Sequence, residues 1–319
     1  MKVVIEPRTS SRVFKSDEAA EDHSLVPGPL TEPSGTAAAR LFELEQLEVS
    51  WDEPSGTLWT FMRPRGRPCY NLELLDDFHA WQSGIVAKFS DPRRDLRFLV
   101  LSSRTAGAFN LGGDLNYFLG RIRERDRVAL LAYGISCIKI LHRNIDRLGL
   151  PLVTVGVAQG DALGGGLESL LSFDLIIAER QARFGFPESH FGLFPGMGAY
   201  SLVSRRIGSV LAEEMILSGR IYTAEELKKF GLVHILAEPG QGLAAASEYI
   251  RSNARRHAGL QAFYRAAREV NSVPFAELER VVEIWADTCL KLEERELRVM
   301  QRLVSAQDRL YCSPDVPRQ

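Results

Sequence analysis

Apolar and polar positions change their period along the chain, and each change marks an element. Leu47, Val49 and Trp51 alternate with polar residues, Leu58, Thr60 and Met62 alternate again, and Glu53-Pro54-Ser55-Gly56 between them supplies a turn, so the segment reads as a β-hairpin. After a basic loop from Arg63 to Pro68 the spacing from Leu72 to Phe89 is helical, and Phe98-Leu99-Val100-Leu101 reads as a short buried strand. A long helix or helix pair is predicted from about Leu115 to Leu148, followed by a strand over Leu152 to Val157. Gly164-Gly165-Gly166 then opens a helix around Glu168 to Leu171, Leu175 to Ala178 forms another strand, and a helix over Ala224 to Phe230 precedes a strand over Val233 to Ile235. Strand, turn and helix in succession predict an α/β fold with mostly parallel strands. From Leu243 onward the strand pattern disappears, and Leu243 to Arg256, Gly259 to Val270 and Phe275 to Leu310 are helical. The first segment carries neither period and is rich in Ser, Thr, Pro, Ala and charge. Residues 1–43 are therefore expected to be a mobile tail, 44–242 the core and 243–319 a helical C-terminal region.

Composition narrows the class without revealing the chemistry. The 319 residues carry 39 Lys+Arg against 41 Asp+Glu, a formal net charge of −2, which excludes a strongly basic nucleic-acid binder and an acidic solvating tail. Cys69, Cys137, Cys289 and Cys312 form no CxxC pair and the histidines show no ligand spacing, so neither a disulfide framework nor a metal site is expected. The apolar run Val3-Val4-Ile5 is too short for a secretory signal, and no uninterrupted apolar stretch approaches the ~18 residues of a membrane span. The expected location is cytoplasmic, without membrane insertion.

Chemistry concentrates at the glycines. Gly160-Asp161-Ala162-Leu163-Gly164-Gly165-Gly166-Leu167-Glu168 sets three consecutive glycines between a strand and a helix, a turn that lets the backbone approach a ligand and points N–H groups at an anion. A phosphate and an oxyanion developing on a thioester carbonyl both suit such a turn, although no P-loop or dinucleotide-binding fingerprint is present. A second glycine pair, Gly112-Gly113, again lies between strand and helix, and Phe184-Gly185-Phe186-Pro187-Glu188 adds a second carboxylate after Glu168. Two N–H-bearing turns and two carboxyl groups can together stabilise a carbonyl oxyanion and move protons.

In order and spacing, Phe109-Asn110-Leu111-Gly112-Gly113-Asp114, Ala162-Leu163-Gly164-Gly165-Gly166-Leu167-Glu168, Phe184-Gly185-Phe186-Pro187-Glu188 and Phe191-Gly192-Leu193-Phe194-Pro195-Gly196-Met197-Gly198 resemble the motifs of the crotonase (enoyl-CoA hydratase/isomerase) superfamily. The resemblance implies a crotonase-like spiral of ββα units with a helical C-terminal trimerisation and lid region. Carried over by position, it makes Gly113 and Gly165 the oxyanion-hole donors and Glu168 and Glu188 the acid/base carboxylates. Within the superfamily these segments look most like the diffusible signal factor synthases, which make cis-2-unsaturated fatty acids for bacterial quorum sensing. That likeness implies dehydration of a 3-hydroxyacyl-acyl carrier protein to the cis-2-enoyl thioester, then hydrolysis of the thioester. It also implies acyl carrier protein as partner, a homotrimer or a hexamer of paired trimers, a membrane sensor kinase as regulator, and no cofactor beyond the thioester carrier. The alternative is a general enoyl-CoA hydratase or isomerase of fatty-acid metabolism, and a non-catalytic acyl-binding protein on the same scaffold is a third reading.

Several residues admit two readings. Asp161, Met197, Trp285 and Leu303 are candidate substrate-binding residues, although Asp161 equally suits a loop hydrogen bond and Trp285 and Leu303 a core or subunit contact. Asp114 suits the N-cap of the following helix. The run Arg121 to Arg127 and the trio Arg63, Arg65 and Arg67 are either solvated faces or docking points for an acidic carrier protein or coenzyme A phosphates. Ser189 and His190 are sequence neighbours that cannot readily face each other, so a Ser-His-acid triad is not expected. The sequence does not tell which glutamate is the acid.

Overall fold

Strand β1 (Leu47–Asp52) turns through Gly56 into β2 (Thr57–Met62), and the two pair antiparallel with Leu47 opposite Met62. Gly56 has φ +63°, and a Cβ there would lie 2.4 Å from the Asp95 carbonyl oxygen, so the turn has no room for a side chain. Helix α1 (Leu72–Phe89) starts at Asn71, whose side chain accepts the Leu74 N–H. The computed structural model describes residues 42–91 and 95–312. The expected tail thus lies outside the described residues except for Phe42 and Glu43, and the Phe42 ring already rests on α1 at Gly84.

From β3 onward each pass of the chain lays down two strands and then a helix. β3 (Phe98–Ser103) and β4 (Ala108–Asn110) lead to α2 (Leu115–Arg123) and α3 (Arg127–Ile145); β5 (Val153–Ala158) and β6 (Asp161–Leu163) lead to α4 (Gly165–Leu170). β7 (Leu175–Glu179) and β8 (Arg183–Gly185) lead to a 3-10 turn over Pro187–Phe191, α5 (Ala199–Ile207) and α6 (Ser209–Leu217). β9 (Ile221–Thr223), α7 (Ala224–Phe230) and β10 (Ile235–Ala237) follow. The first strand of each pair enters one sheet, of order β1-β2-β3-β5-β7-β10, and the second enters another, of order β4-β6-β8-β9. This is the spiral of ββα units, parallel except at β1–β2 and β8–β9. Alternate residues of the central strands face opposite cores: Leu99 and Leu101 point to the main core, whereas Phe98, Val100, Val153 and Val155 meet Ala246 and Ile250 of α8 (Gly242–Asn253).

The helical C-terminal region continues with α9 (His257–Val270), α10 (Phe275–Cys289) and α11 (Glu294–Tyr311). The continuous pattern from Phe275 to Leu310 is two helices, because Glu293 caps α11 and shares a capping box with Glu296. The long helical stretch after Leu115 is likewise a pair, broken where Arg125 takes φ +55° and Asp126 caps α3. The strand expected at Val233 begins only at Ile235, since Val233 turns into the main core and His234 Nδ1 accepts the Ile176 N–H at 3.0 Å. α3 is long and apolar enough, by length and composition, to cross a bilayer; here it packs against α1 and α10.

Asp174 secures the start of β7. Its buried carboxylate accepts the Thr154 N–H at 3.0 Å and the Thr154 hydroxyl at 3.1 Å, and pairs with Arg147 at 3.2 Å and Arg268 at 3.4 Å. Removing one partner of a buried ion pair leaves the other charge uncompensated, which typically costs about 3–5 kcal/mol. Asp174→Ala is expected to lower unfolding stability by that order in urea titrations, while a loss below ~1 kcal/mol would show that water reaches the arginines.

Candidate active site

Two glycine turns meet at the mouth of a cavity. At the end of β4 the Asn110 Oδ1 accepts the Gly112 N–H at 2.8 Å, which fixes the first turn. Gly112 has φ +94°, and a Cβ on it would lie 2.9 Å from the Gly165 nitrogen; a Cβ on Gly166 would lie 2.0 Å from the Asn110 carbonyl oxygen. Only glycines allow this approach. Gly113 follows, just before Asp114, whose side chain accepts the Asn116 and Tyr117 N–H groups and caps α2. Gly165 is the first residue of α4, where N–H groups have no intrahelical acceptor and the helix end is positive. Gly113 and Gly165 line the same cavity, of about 290 Å³.

Sheet register brings the carboxylates to this cavity. Leu163 of β6 lies opposite Gly185 of β8, and the Gly164 N–H donates to the Gly185 carbonyl at 2.8 Å. Glu168 therefore emerges from the first turn of α4 and Glu188 from the 3-10 turn that Pro187 opens, and both line the cavity. Glu168 is 1% exposed, and its Oε1 accepts the N–H groups of Met197 at 2.8 Å and Ala199 at 2.9 Å. Glu188 packs its carboxyl against Gly164: a Cβ there would lie 2.2 Å from Glu188 Oε1, and Gly164 also has φ +52°. Glu188 Oε2 is buried without a hydrogen-bond partner in the protein. Burial raises both proton affinities, that of Glu188 to about 7 and that of Glu168 to about 8. The neighbouring Glu188 charge pushes Glu168 further up, against the pull of the Ala199 and Met197 N–H groups.

Met197, Trp285 and Leu303 all line this cavity. Trp285 stands edge-on to Phe118 with ring centroids 5.1 Å apart, and a Cβ on Gly196 would lie 2.4 Å from its Cγ. Asp161 does not line it. Its Oδ1 accepts the Arg183 N–H at 3.0 Å, joining β6 to β8, which is the hydrogen-bonding one of its two readings. His190 hydrogen-bonds the Gly219 carbonyl at 3.0 Å, and Ser189 Oγ has no partner, so the two do not form a nucleophile–base pair. Arg67 is engaged by Asp308 at 2.7 Å and Asp114 at 3.3 Å, and Arg121 by Glu124 at 2.8 Å, which leaves these arginines less available for docking. Cys137 is buried, and burial raises its proton affinity, which keeps it a thiol. Sequence reasoning missed the clamp on Glu168 by two backbone N–H groups and the seat of Glu188 on Gly164. The paired glycines Gly196 and Gly198 around Met197, the latter at φ +110°, are the signal that could have pointed to the first.

A family model described as enoyl-CoA hydratase/isomerase matches residues 71–267. The chain belongs to the enoyl-CoA hydratase/isomerase (crotonase) family. Mitochondrial methylglutaconyl-CoA hydratase of Rattus norvegicus is 33% identical over 153 residues, 48% of this chain and 46% of that protein. The Homo sapiens enzyme of the same name is 33% identical over the same length, 43% of its own chain. This crotonase-family chain thus spans about half the length of these relatives. Among solved structures, an enoyl-CoA hydratase from Geobacillus kaustophilus aligns with TM-score 0.64 at 22% identity, covering 83% of this chain and 96% of that one. Pseudomonas aeruginosa DspI aligns with TM-score 0.60 at 23% identity, covering 86% of this chain and all of that one. At these identities the likeness is one of fold.

Two outcomes test the geometry of this crotonase-family site. Gly164→Ala would force a Cβ into the Glu188 carboxyl at a backbone angle that favours glycine, and is expected to reduce turnover by about 10²-fold or more in steady-state assays. The second outcome is thermodynamic. A carboxyl whose proton affinity is raised in the fold contributes a penalty that is absent at low pH and grows as pH rises from 4.5 to about 8. Glu168→Gln removes that charge and keeps an oxygen for the Met197 and Ala199 N–H groups. In urea titrations it should match the parent near about pH 4 and exceed it by at least ~1 kcal/mol near about pH 9.

Proposed function

We propose that this chain is a synthase of the diffusible signal factor type, converting a 3-hydroxyacyl-acyl carrier protein to a free cis-2-unsaturated fatty acid. The supporting observation is a pair of carboxyl groups on one cavity with two N–H-bearing glycine turns, Glu168 clamped by the Met197 and Ala199 N–H groups and Glu188 with its Oε2 left over, both with proton affinity raised by burial. Burial holds both carboxyl groups above the ordinary carboxylate range and the Glu188 charge raises Glu168 further, so near neutrality one group can hold a proton while the other is ionised, the division of labour that acid–base elimination needs. In this reading Glu188 Oε2 takes the proton from the carbon alpha to the thioester. The released electron pair forms the C2–C3 double bond, and the 3-hydroxyl leaves as water with the Glu168 proton. Negative charge on the thioester oxygen falls on the Gly113 and Gly165 N–H groups; such a donor is worth about 3–4 kcal/mol of barrier. For release, a carboxylate takes a proton from water, the resulting oxygen attacks the thioester carbon, the C–S bond breaks, and the carrier thiol leaves with the proton. Trp285, Leu303 and Phe118 give the apolar wall that an acyl chain requires.

A second reading, hydration of a 2-enoyl-coenzyme A, is favoured by the methylglutaconyl-CoA hydratase relatives. The same two carboxyl groups would add water across the double bond.

Incubation with 3-hydroxydodecanoyl-acyl carrier protein and, separately, with trans-2-dodecenoyl-coenzyme A distinguishes the two by mass spectrometry. Free cis-2-dodecenoic acid from the first substrate is the expected product, and Glu168→Gln and Glu188→Gln are each expected to lower its rate about 10²–10⁴-fold. Reversible hydration of the second substrate with no free acid from the first would establish the second reading instead.

A further inference from the structure

Beside the Gly165 turn lies a smaller cavity, of about 30 Å³, lined largely from α1, α3 and α4. Trp81 Nε1, Gln82 Oε1 and Asn144 Oδ1 belong to side chains that line it, and none has a hydrogen-bond partner in the protein. All three side chains are more than nine-tenths buried. Their other polar atoms are engaged: Gln82 Nε2 donates to the Ile140 carbonyl at 2.9 Å and Asn144 Nδ2 to Ser172 Oγ at 2.7 Å, which leaves the two amide oxygens over. The Tyr70 hydroxyl stands beside Ser169 in the same lining but outside hydrogen-bond geometry. One indole donor, two amide acceptors and a hydroxyl around one small space match the partners that buried water takes, and a water needs roughly 10–15 Å³ of such space.

We propose that this chamber binds about two water molecules and exchanges them with the catalytic cavity past the Met197 thioether. The two cavities share only Gly165 and Met197 in their linings. Since glycine has no side chain, the partition is the Met197 side chain, whose Cε lies 2.2 Å from where a Gly165 Cβ would be. An unbranched thioether with three rotatable bonds can swing aside without backbone movement. The exchange rests on the proposed function, in which dehydration releases one water beside the thioester and hydrolysis consumes one.

A high-resolution crystal structure of the full chain tests the site itself: two density peaks hydrogen-bonded to Trp81 Nε1 and Asn144 Oδ1 are expected, and a chamber without them, or one filled by an acyl tail, overturns the proposal. Cys137→Leu, which fills the chamber from α3, tests the exchange. Free-acid release should fall several-fold while exchange of the alpha proton of a saturated acyl thioester with deuterated solvent is unchanged. Undiminished release with the chamber shown filled would overturn it. Cys137→Met serves if the leucine variant does not fold. If the parent releases no acid from any carrier thioester, the proposed function fails, and the crystallographic waters still decide the chamber.

Discussion

Two backbone loops pass at contact distance, and the geometry of the candidate site depends on that passage. With Gly112 against the Gly165 nitrogen and Gly166 against the Asn110 carbonyl, a single added methyl group at either place would meet backbone atoms at 3.0 Å or less. The separation of the Gly113 and Gly165 N–H groups is therefore set by main chain on main chain, which is stiffer than any side-chain contact. The side chains of Asn110 and Tyr133, which accept the Gly112 and Asp114 N–H groups, shape the first turn. The start of α4, and with it Glu168, is placed by the same contact.

The fold buries carboxylates in two different ways. Asp174 is surrounded by arginines and by Thr154, so its charge is matched where it stands and holds strand to helix. Glu168 and Glu188 are held by backbone N–H groups and by the Gly164 turn, with no ion pair to either among the described residues. A paired carboxylate is a fixed anion. An unpaired one held away from bulk solvent is ready to take up or release a proton near neutrality, and the price is a fold that grows less stable as the solution becomes more alkaline.

The sequence made the central strands, α1 and the glycine turns legible because each carries a signal of sufficient length or an unusual residue type. Alternation over six residues marks β1, and helical spacing over eighteen marks α1 with the same ends in sequence and structure. Strands β4, β6, β8 and β9 have three residues each, too few to show a period, so the second sheet was invisible although the site stands on it. Helices α5 and α6 were also missed; α6 leaves Val210 and Leu217 exposed, which blurs any apolar face. Motif order singled out the glutamates and glycines that the structure brings to one cavity, whereas the Met197 and Ala199 N–H clamp is a tertiary contact that no local pattern encodes. Asp161 shows the converse: inside a telling motif it suited either a substrate contact or a loop hydrogen bond, and the structure shows it accepting the Arg183 N–H.

The short β6–β8 ladder acts as a ruler. Its register, Leu163 beside Gly185, sets how far Glu168 stands from Glu188, since each glutamate follows its strand by only a few residues. A strand can shift past its neighbour only in whole steps of about 3.3 Å, and an odd step turns every side chain to the opposite face. The spacing of the carboxyl groups therefore cannot drift gradually as the chain diverges. It keeps its value or is lost outright, so lengthening is confined to loops that do not lie between these strands and their glutamates.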